Sequence, residues 1–292
     1  MSDPAQHLLD ILSLEVIEKN LFRAGHEDRD GGRLFGGQVL AQALRAAGHT
    51  VEDRVPHSLH GYFMRPGDSA RPVLYDVERI RDGSSFTTRR VVAIQNGAAI
   101  FSMDVSFQVV EQGLSHADAM PNVPLPEELE DDVLRARRDE KNPHIGAWAR
   151  RERPFETRSV LPLGQSRVGT DRFWNPVWLK FRGTLPANDA LLPHCLLAYA
   201  SDMGMVSTSA MPHMAEIPRA DVMMASLDHA LWIHRPLAVD DWLLFVKRTT
   251  TATGARGMNH ADFFNRHGQL VASVYQEGLM RSVAAPAARP VG

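Results

Sequence analysis

The same order of elements occurs twice in this chain, and that repetition limits what it can fold into. In the first half a glycine-led helical run, RLFGGQVLAQALRAAGHTV, is followed by four strand-like runs: SLHGYFMRPGD, PVLYDVERIRDG, SFTTRRVVAIQNG and AIFSMDVSFQVV. Val39, Leu40, Ala43, Leu44 and Ala47 recur at the spacing of one apolar helix face. In the second half an apolar run beginning near Pro193 is followed by DVMMASLDHALWIHRP, WLLFVKRTTT, RGMNHADFFNRHG and QLVASVYQEGLMR. Arg65–Pro66 and Arg235–Pro236 lie 170 residues apart. That spacing sets Tyr62 opposite Trp232 and brings the Asn96–Gly97 turn within one residue of His267–Gly268. The repeated unit is about 115 residues long.

Each unit predicts an α+β fold, an antiparallel sheet curved around one apolar helix. Two units in one chain join edge to edge as a pseudo-dimer, which removes exposed strand edges. The first unit is assigned to residues 1–112 and the second to 152–285, with a connector at 113–151 and a frayed tail at 286–292. A short helix at Leu8–Leu14 and one strand at Val16–Ala24 precede the first central helix. The connector is rich in proline and charge, and its acids-first order predicts an exposed helix over Pro126–Glu140.

Composition excludes several classes. A formal charge of -3 over 292 residues offers no basic face for nucleic acid. One cysteine, Cys195, excludes an internal disulfide framework and a cysteine-based zinc site. No apolar run is long enough for a membrane span. The acidic N-terminal stretch lacks the features of a secretory signal, and the tail carries no peroxisomal address, so the expected location is cytoplasmic. There is no nucleophile elbow, no P-loop, no dinucleotide fingerprint and no zinc-spaced histidine pair, and no metal or cofactor is expected.

Three polar residues stand out in apolar surroundings. Asp202 lies inside the apolar run Leu191–Met211, where an unpaired charge is too costly to be incidental. Either it caps or pairs with a base such as Arg235 or Arg256, or it serves as a general base. Ser226 sits in a strand apolar on both faces; its hydroxyl is either simply satisfied there or functional. Gln276 shares a strand face with Leu270, Ala272 and Val274, as an inter-strand tie or a site residue. The repeat sets Pro56 against Ser226, Gln42 near Asp202, and Val105 or Gln108 against Gln276. This asymmetry predicts one site per chain, built with side chains of the second half. The methionines from Met203 to Met224 fit plain core or a flexible pocket for an acyl chain.

The stretches RLFGGQVLAQAL, HSLHGYFMRPGD, YDVERIRDGSSFTTRRVVAIQNG, YASDMG, ASLDHALWIHRP and VASVYQEGLMR together resemble the acyl-CoA thioesterase II family of double-hotdog proteins. They cover nearly the whole chain outside the connector. The resemblance implies a double hotdog, hydrolysis of acyl-CoA to free acid and coenzyme A, and a homo-oligomer, dimer or tetramer. It implies Asp202, Ser226 and Gln276 as the catalytic group, holding and activating a water without a covalent acyl-enzyme. Some members carry Thr at the Ser226 position. For substrate binding, Gly36 and Gly37 open the first central helix, and the Gly37 N–H is the expected donor to the thioester carbonyl. The alternatives are a non-catalytic acyl-CoA binding or sensing protein on the same fold, and a hotdog hydratase using Asp228 and His229. As strand neighbours those two residues point to opposite faces, which argues against the hydratase.

Overall fold

The computed structural model describes residues 3–25, 32–139, 150, 152–162, 167–168, 173–213 and 221–282. A short helix α1 (Pro4–Leu12) is capped by Asp3, whose carboxylate accepts the Ala5 N–H at 3.0 Å. Two strands follow, β1 (Glu15–Glu18) and β2 (Leu21–Ala24), where the sequence predicts one. The run folds back on itself because Asn20 takes a left-handed conformation, φ 66°, which asparagine tolerates better than most residues. The central helix α2 (Gly36–Gly48) comes next, then β3 (Val55–Phe63), β4 (Val73–Asp82), β5 (Phe86–Gln95) and β6 (Ala98–Gln108). β5 and β6 meet at Asn96–Gly97, both at positive φ, as the hairpin signal requires.

In the connector the single predicted helix is broken. A 3-10 turn at Pro126–Glu128 is separated from α3 (Asp132–Arg138), because Asp131 caps a fresh start by accepting the Val133 N–H at 2.7 Å. α3 is not wholly exposed either. Val133 and Ala136 are buried, and the Asp132 carboxylate accepts from the N–H and hydroxyl of Ser159. Residues 140–149 and the 286–292 tail lie outside the described residues.

The second half supplies β7 (Phe155–Ser159), β8 (Arg167–Val168), β9 (Phe173–Phe181), α4 (Leu192–Ser201), α5 (Met205–Ala210), β10 (Val222–Ser226), β11 (Asp228–Ile233), β12 (Leu243–Thr253), β13 (Arg256–Asn265) and β14 (Leu270–Ser282). All strands belong to one sheet, in the order β1-β2-β4-β5-β6-β3-β11-β14-β13-β12-β9-β7, with β10 on β14 and β8 on β9. Read outward from its middle, this order is the same on both sides. The junction is the antiparallel pair β3–β11, where His60 faces Ala230. Those two residues are 170 apart, the repeat spacing, so the pseudo-twofold axis passes between them.

Each half is a hotdog, and the two make a double hotdog with a continuous sheet. The central helices pack against each other in opposite directions. Near its C-terminal end, α2 presents Arg45, which grips Asp189 through two bonds of 2.7 and 2.6 Å. Asp189 also accepts the Leu192 N–H that opens α4. The other ends of the two helices meet at the site described next. Residues of α1, α2, α4 and both halves of the sheet share one apolar core. No helix among the described residues is long and apolar enough to cross a membrane.

Candidate active site

The second central helix is interrupted where the sequence reads as one apolar run. α4 ends at Ser201, and α5 begins at Met205. Gly204 between them sits at φ 74°, a conformation open to glycine and costly for a residue with a Cβ. Asp202 is therefore the C-terminal cap of α4 rather than a mid-helix residue. A carboxylate is disfavoured at a helix C-terminus, where the peptide dipoles leave partial negative charge. The N-terminus of α2 offsets this, because it arrives head-on.

The Gly37 N–H donates to Asp202 Oδ2 at 2.9 Å. The approach depends on two residues without side chains. A Cβ on Gly36 would stand 2.7 Å from Asp202 Oδ2, and one on Gly37 would stand 2.4 Å from the Tyr199 carbonyl oxygen. Asp202 Oδ1 accepts from Gln276 Nε2 at 3.0 Å and, at a long 3.5 Å, from the Ser226 hydroxyl. Gln276 Nε2 uses its second hydrogen on Ser226 Oγ at 2.7 Å. The three predicted residues thus form one closed group, with Asp202 held on both oxygens. β14 carries Gln276, and the neighbouring β10 ends on Ser226. Gly36 and Gly37 lie beside them. The Gly37 N–H, however, is engaged by the carboxylate, which differs from its expected use on a substrate carbonyl.

Asp202 pairs with neither predicted base. Arg235 donates to the Leu270 carbonyl and the Ser115 hydroxyl, and Arg256 is paired with Glu277. The comparison between halves also sharpens. Ser102 pairs with Tyr62 as Ser273 pairs with Trp232, so the first-half residue matching Gln276 is Val105, not Gln108. Gln42, set near Asp202 by the repeat, is not a helix cap as Asp202 is. It lies within α2, where its amide donates to the Ile11 carbonyl and accepts from the Tyr75 hydroxyl.

Two further residues join the group: Ser201, which the sequence does not single out, and His229, which it offers only as half of a hydratase pair. His229 is buried on the inward face of β11, with Nδ1 3.0 Å from Gln276 Oε1 and Nε2 2.8 Å from Ser201 Oγ. Its neighbour Asp228 turns the other way and accepts the Glu277 N–H at 2.6 Å, so the two do not form a hydratase pair. The signal for His229 was an ionisable residue at an inward strand position, alternating with Leu231.

Burial pushes Asp202 up to about 6, against the pull of hydrogen bonds from Gln276, Gly37 and Ser226. Burial also pushes His229 down to about 4, leaving it neutral at ordinary pH. The sign of the Asp202 effect on stability follows from linkage. Below 3.8 the group is protonated both folded and unfolded, and it contributes no penalty. Between 3.8 and about 6 the unfolded form ionises first, so the folded state loses stability as pH rises. The full loss, on the order of 3 kcal/mol, is present above the folded value. Thermal melts of the wild type and of Asp202→Asn from pH 4 to pH 8 should therefore diverge in favour of the variant as pH rises. Parallel curves would show that Asp202 does not titrate as its surroundings demand.

The chain is similar to known proteins in sequence and in fold. The family model described as acyl-CoA thioesterase matches residues 149–279, and the one described as acyl-CoA thioesterase N-terminal domain matches 26–108. The acyl-CoA thioesterase 2 of Haemophilus influenzae is 38% identical over 291 residues, covering 96% of this chain and 99% of that protein. An acyl-CoA thioesterase II from Mycobacterium marinum has a crystal structure that superposes with a TM-score of 0.79 at 39% identity, covering 95% of this chain and 99% of the other. A protein from Alicyclobacillus acidocaldarius, described as having a hot dog fold, superposes with a TM-score of 0.72 at 20% identity over 96% of this chain and 99% of its own.

Proposed function

We propose, for a chain that belongs to the acyl-CoA thioesterase family and hydrolyses acyl-CoA to free acid and coenzyme A, that the thioester is cleaved by direct attack of a water activated by Asp202. The observation that carries this reading is the closed contact of Asp202, Ser226 and Gln276 beneath the N-terminus of α2. Asp202 is the general base. It takes a proton from the water as the oxygen adds to the thioester carbonyl. The Ser226 hydroxyl orients that water beside the carboxylate, and the Gln276 amide, donating to both Asp202 and Ser226, sets the position of each and so of the water. Negative charge gathers on the carbonyl oxygen in the tetrahedral intermediate. The positive dipole end of α2 favours it there, though the Gly37 N–H itself is held by Asp202. On collapse the protonated Asp202 returns that proton to the departing sulfur, so coenzyme A leaves as the thiol, the acid remains and the carboxylate is restored. No acyl-enzyme forms, so intact-mass spectra during turnover should show only the unmodified chain.

The base must be ionised to act. The acid limb of kcat/KM is expected near pH 6, falling about tenfold per pH unit below it. Gln276→Ala is expected to lower kcat by roughly 10- to 100-fold through loss of water orientation, and Ser226→Ala by less. Hydrolysis of octanoyl-CoA and palmitoyl-CoA checks this. A folded Gln276→Ala protein with wild-type turnover would sink the assignment. A binding-only role finds no support beside relatives named as thioesterases. The free edge of the sheet at β1, with Val16 and Ile17 exposed, suits assembly as a homo-oligomer, dimer or tetramer of double-hotdog chains. A cytoplasmic location is part of the same proposal and rests on the sequence alone.

A further inference from the structure

We infer that His229 is a positioning residue for hydrolysis: its Nδ1–H grips the Gln276 carbonyl and so fixes which end of that amide faces Asp202. The inference rests on the proposed roles of Asp202 and Gln276. A side-chain amide has an acceptor end and a donor end of nearly the same shape, so rotation by a half turn fits the same space. In one orientation Gln276 offers N–H to Asp202 and Ser226. In the other it sets its oxygen about 3 Å from a carboxylate oxygen, acceptor against acceptor. Only the first leaves Asp202 satisfied and the water site correctly polarised.

With that end of the amide facing Asp202, the hydrogen count fixes the tautomer of His229. Gln276 Oε1 has no hydrogen, so the facing Nδ1 must donate across their 3.0 Å contact. The ring is fully buried and neutral, so Nε2 is then bare and must accept. Its partner at 2.8 Å is Ser201 Oγ, which has one hydrogen to give. That hydroxyl also donates to the Ala198 carbonyl at 2.8 Å, and the Nδ1–H tautomer requires its one hydrogen to turn from there to Nε2. The chain of donation therefore runs from Ser201 to His229, to Gln276, and on to Asp202 and Ser226. Ser201 is the last residue of α4, and Asp202 follows it directly. The chain thus starts and ends at neighbouring residues, and Gln276 is oriented from both sides.

His229→Leu removes the donor at similar volume, while His229→Asn returns an N–H at the Nδ1 position and His229→Gln places one near Nε2 instead. We expect His229→Leu and His229→Gln to lower kcat by roughly 10- to 100-fold with KM little changed, and His229→Asn to recover most of it. A merely structural histidine would give no such order among the three. Long-range nitrogen–proton couplings in the labelled wild-type protein read the tautomer without any variant, and the expected form is Nδ1–H. Observation of the Nε2–H form at pH 7 to 8 would overturn the inference. So would wild-type kcat in His229→Leu while Gln276→Ala is impaired. If Gln276→Ala itself turns over normally, the site assignment fails, and this inference fails with it.

Discussion

Asp202→Asn is expected to lower kcat by about 10²- to 10⁴-fold, the range a positioned general base supplies. The change keeps the shape of the side chain and removes its ability to accept a proton. It also turns one accepting oxygen into a donor. That end would face either the Gly37 N–H or the Gln276 amide, each of which now donates to the carboxylate. The variant loses one of these bonds but relieves a buried charge, so it should stay folded. KM should change little, because the carboxylate works on water rather than on the acyl group or coenzyme A. Steady-state hydrolysis with a circular-dichroism melt on the same preparation tests this. A folded variant at wild-type kcat would remove Asp202 from the chemistry.

Gly37→Ala is expected to damage both stability and turnover. The added Cβ would stand 2.4 Å from the Tyr199 carbonyl oxygen and 2.5 Å from the Phe35 ring. The carbonyl belongs to the last turn of α4, so it moves only if the end bearing Asp202 moves with it. Overpacking of this kind costs about 1–3 kcal/mol. The accompanying displacement of the base should lower kcat by about 100-fold. Gly36→Ala differs in kind. Its Cβ would meet the Asp202 carboxylate at 2.7 Å and the Phe63 ring at 3.0 Å, both side-chain ends. It should impair turnover with a smaller loss of melting temperature. If Gly37→Ala melts and turns over as wild type does, the close approach of the two helices has been misjudged.

The repeat made the architecture legible because strand alternation and turn residues are local signals. With the two Arg–Pro pairs aligned it predicts two like units joined edge to edge, while the order of strands within each comes from the structure. Breaks inside apolar runs were less visible. Val16–Ala24 reads as one strand because Asn20 is the only mark of the reversal, and Leu191–Met211 reads as one helix because Gly204 is the only mark of the interruption. Asp202 was legible because a carboxylate in an apolar run demands a reason, and Gln276 because an amide shares a face with aliphatic residues. The exact match of Gln276 to Val105 was not. The irregular pairing at Ala93/Ile94 recurs at Phe263/Phe264, and the count shifts because the hairpin loop at 266–268 is one residue longer than that at Asn96–Gly97. Nor was the role of His229, whose partners lie 47 and 28 positions away and become neighbours only through the sheet.

The clasp of Arg45 on Asp189 stands where the pseudo-twofold axis would carry the Asp202 end of the helix pair. At both ends an acidic side chain answers the N–H groups at the start of a central helix: Asp202 at Gly37, Asp189 at Leu192. At one end the acid meets no cation among the described residues and its affinity for protons rises; at the other it is neutralised by a guanidinium. A dimer of identical single units would have to carry the same residues at both ends, so a rigid tie at one would impose a rigid tie at the other. Fusing two units into one chain removes that bond between the ends. One can be made inert and tight while the other is kept reactive, and a substitution made at either reaches only the end where it is made.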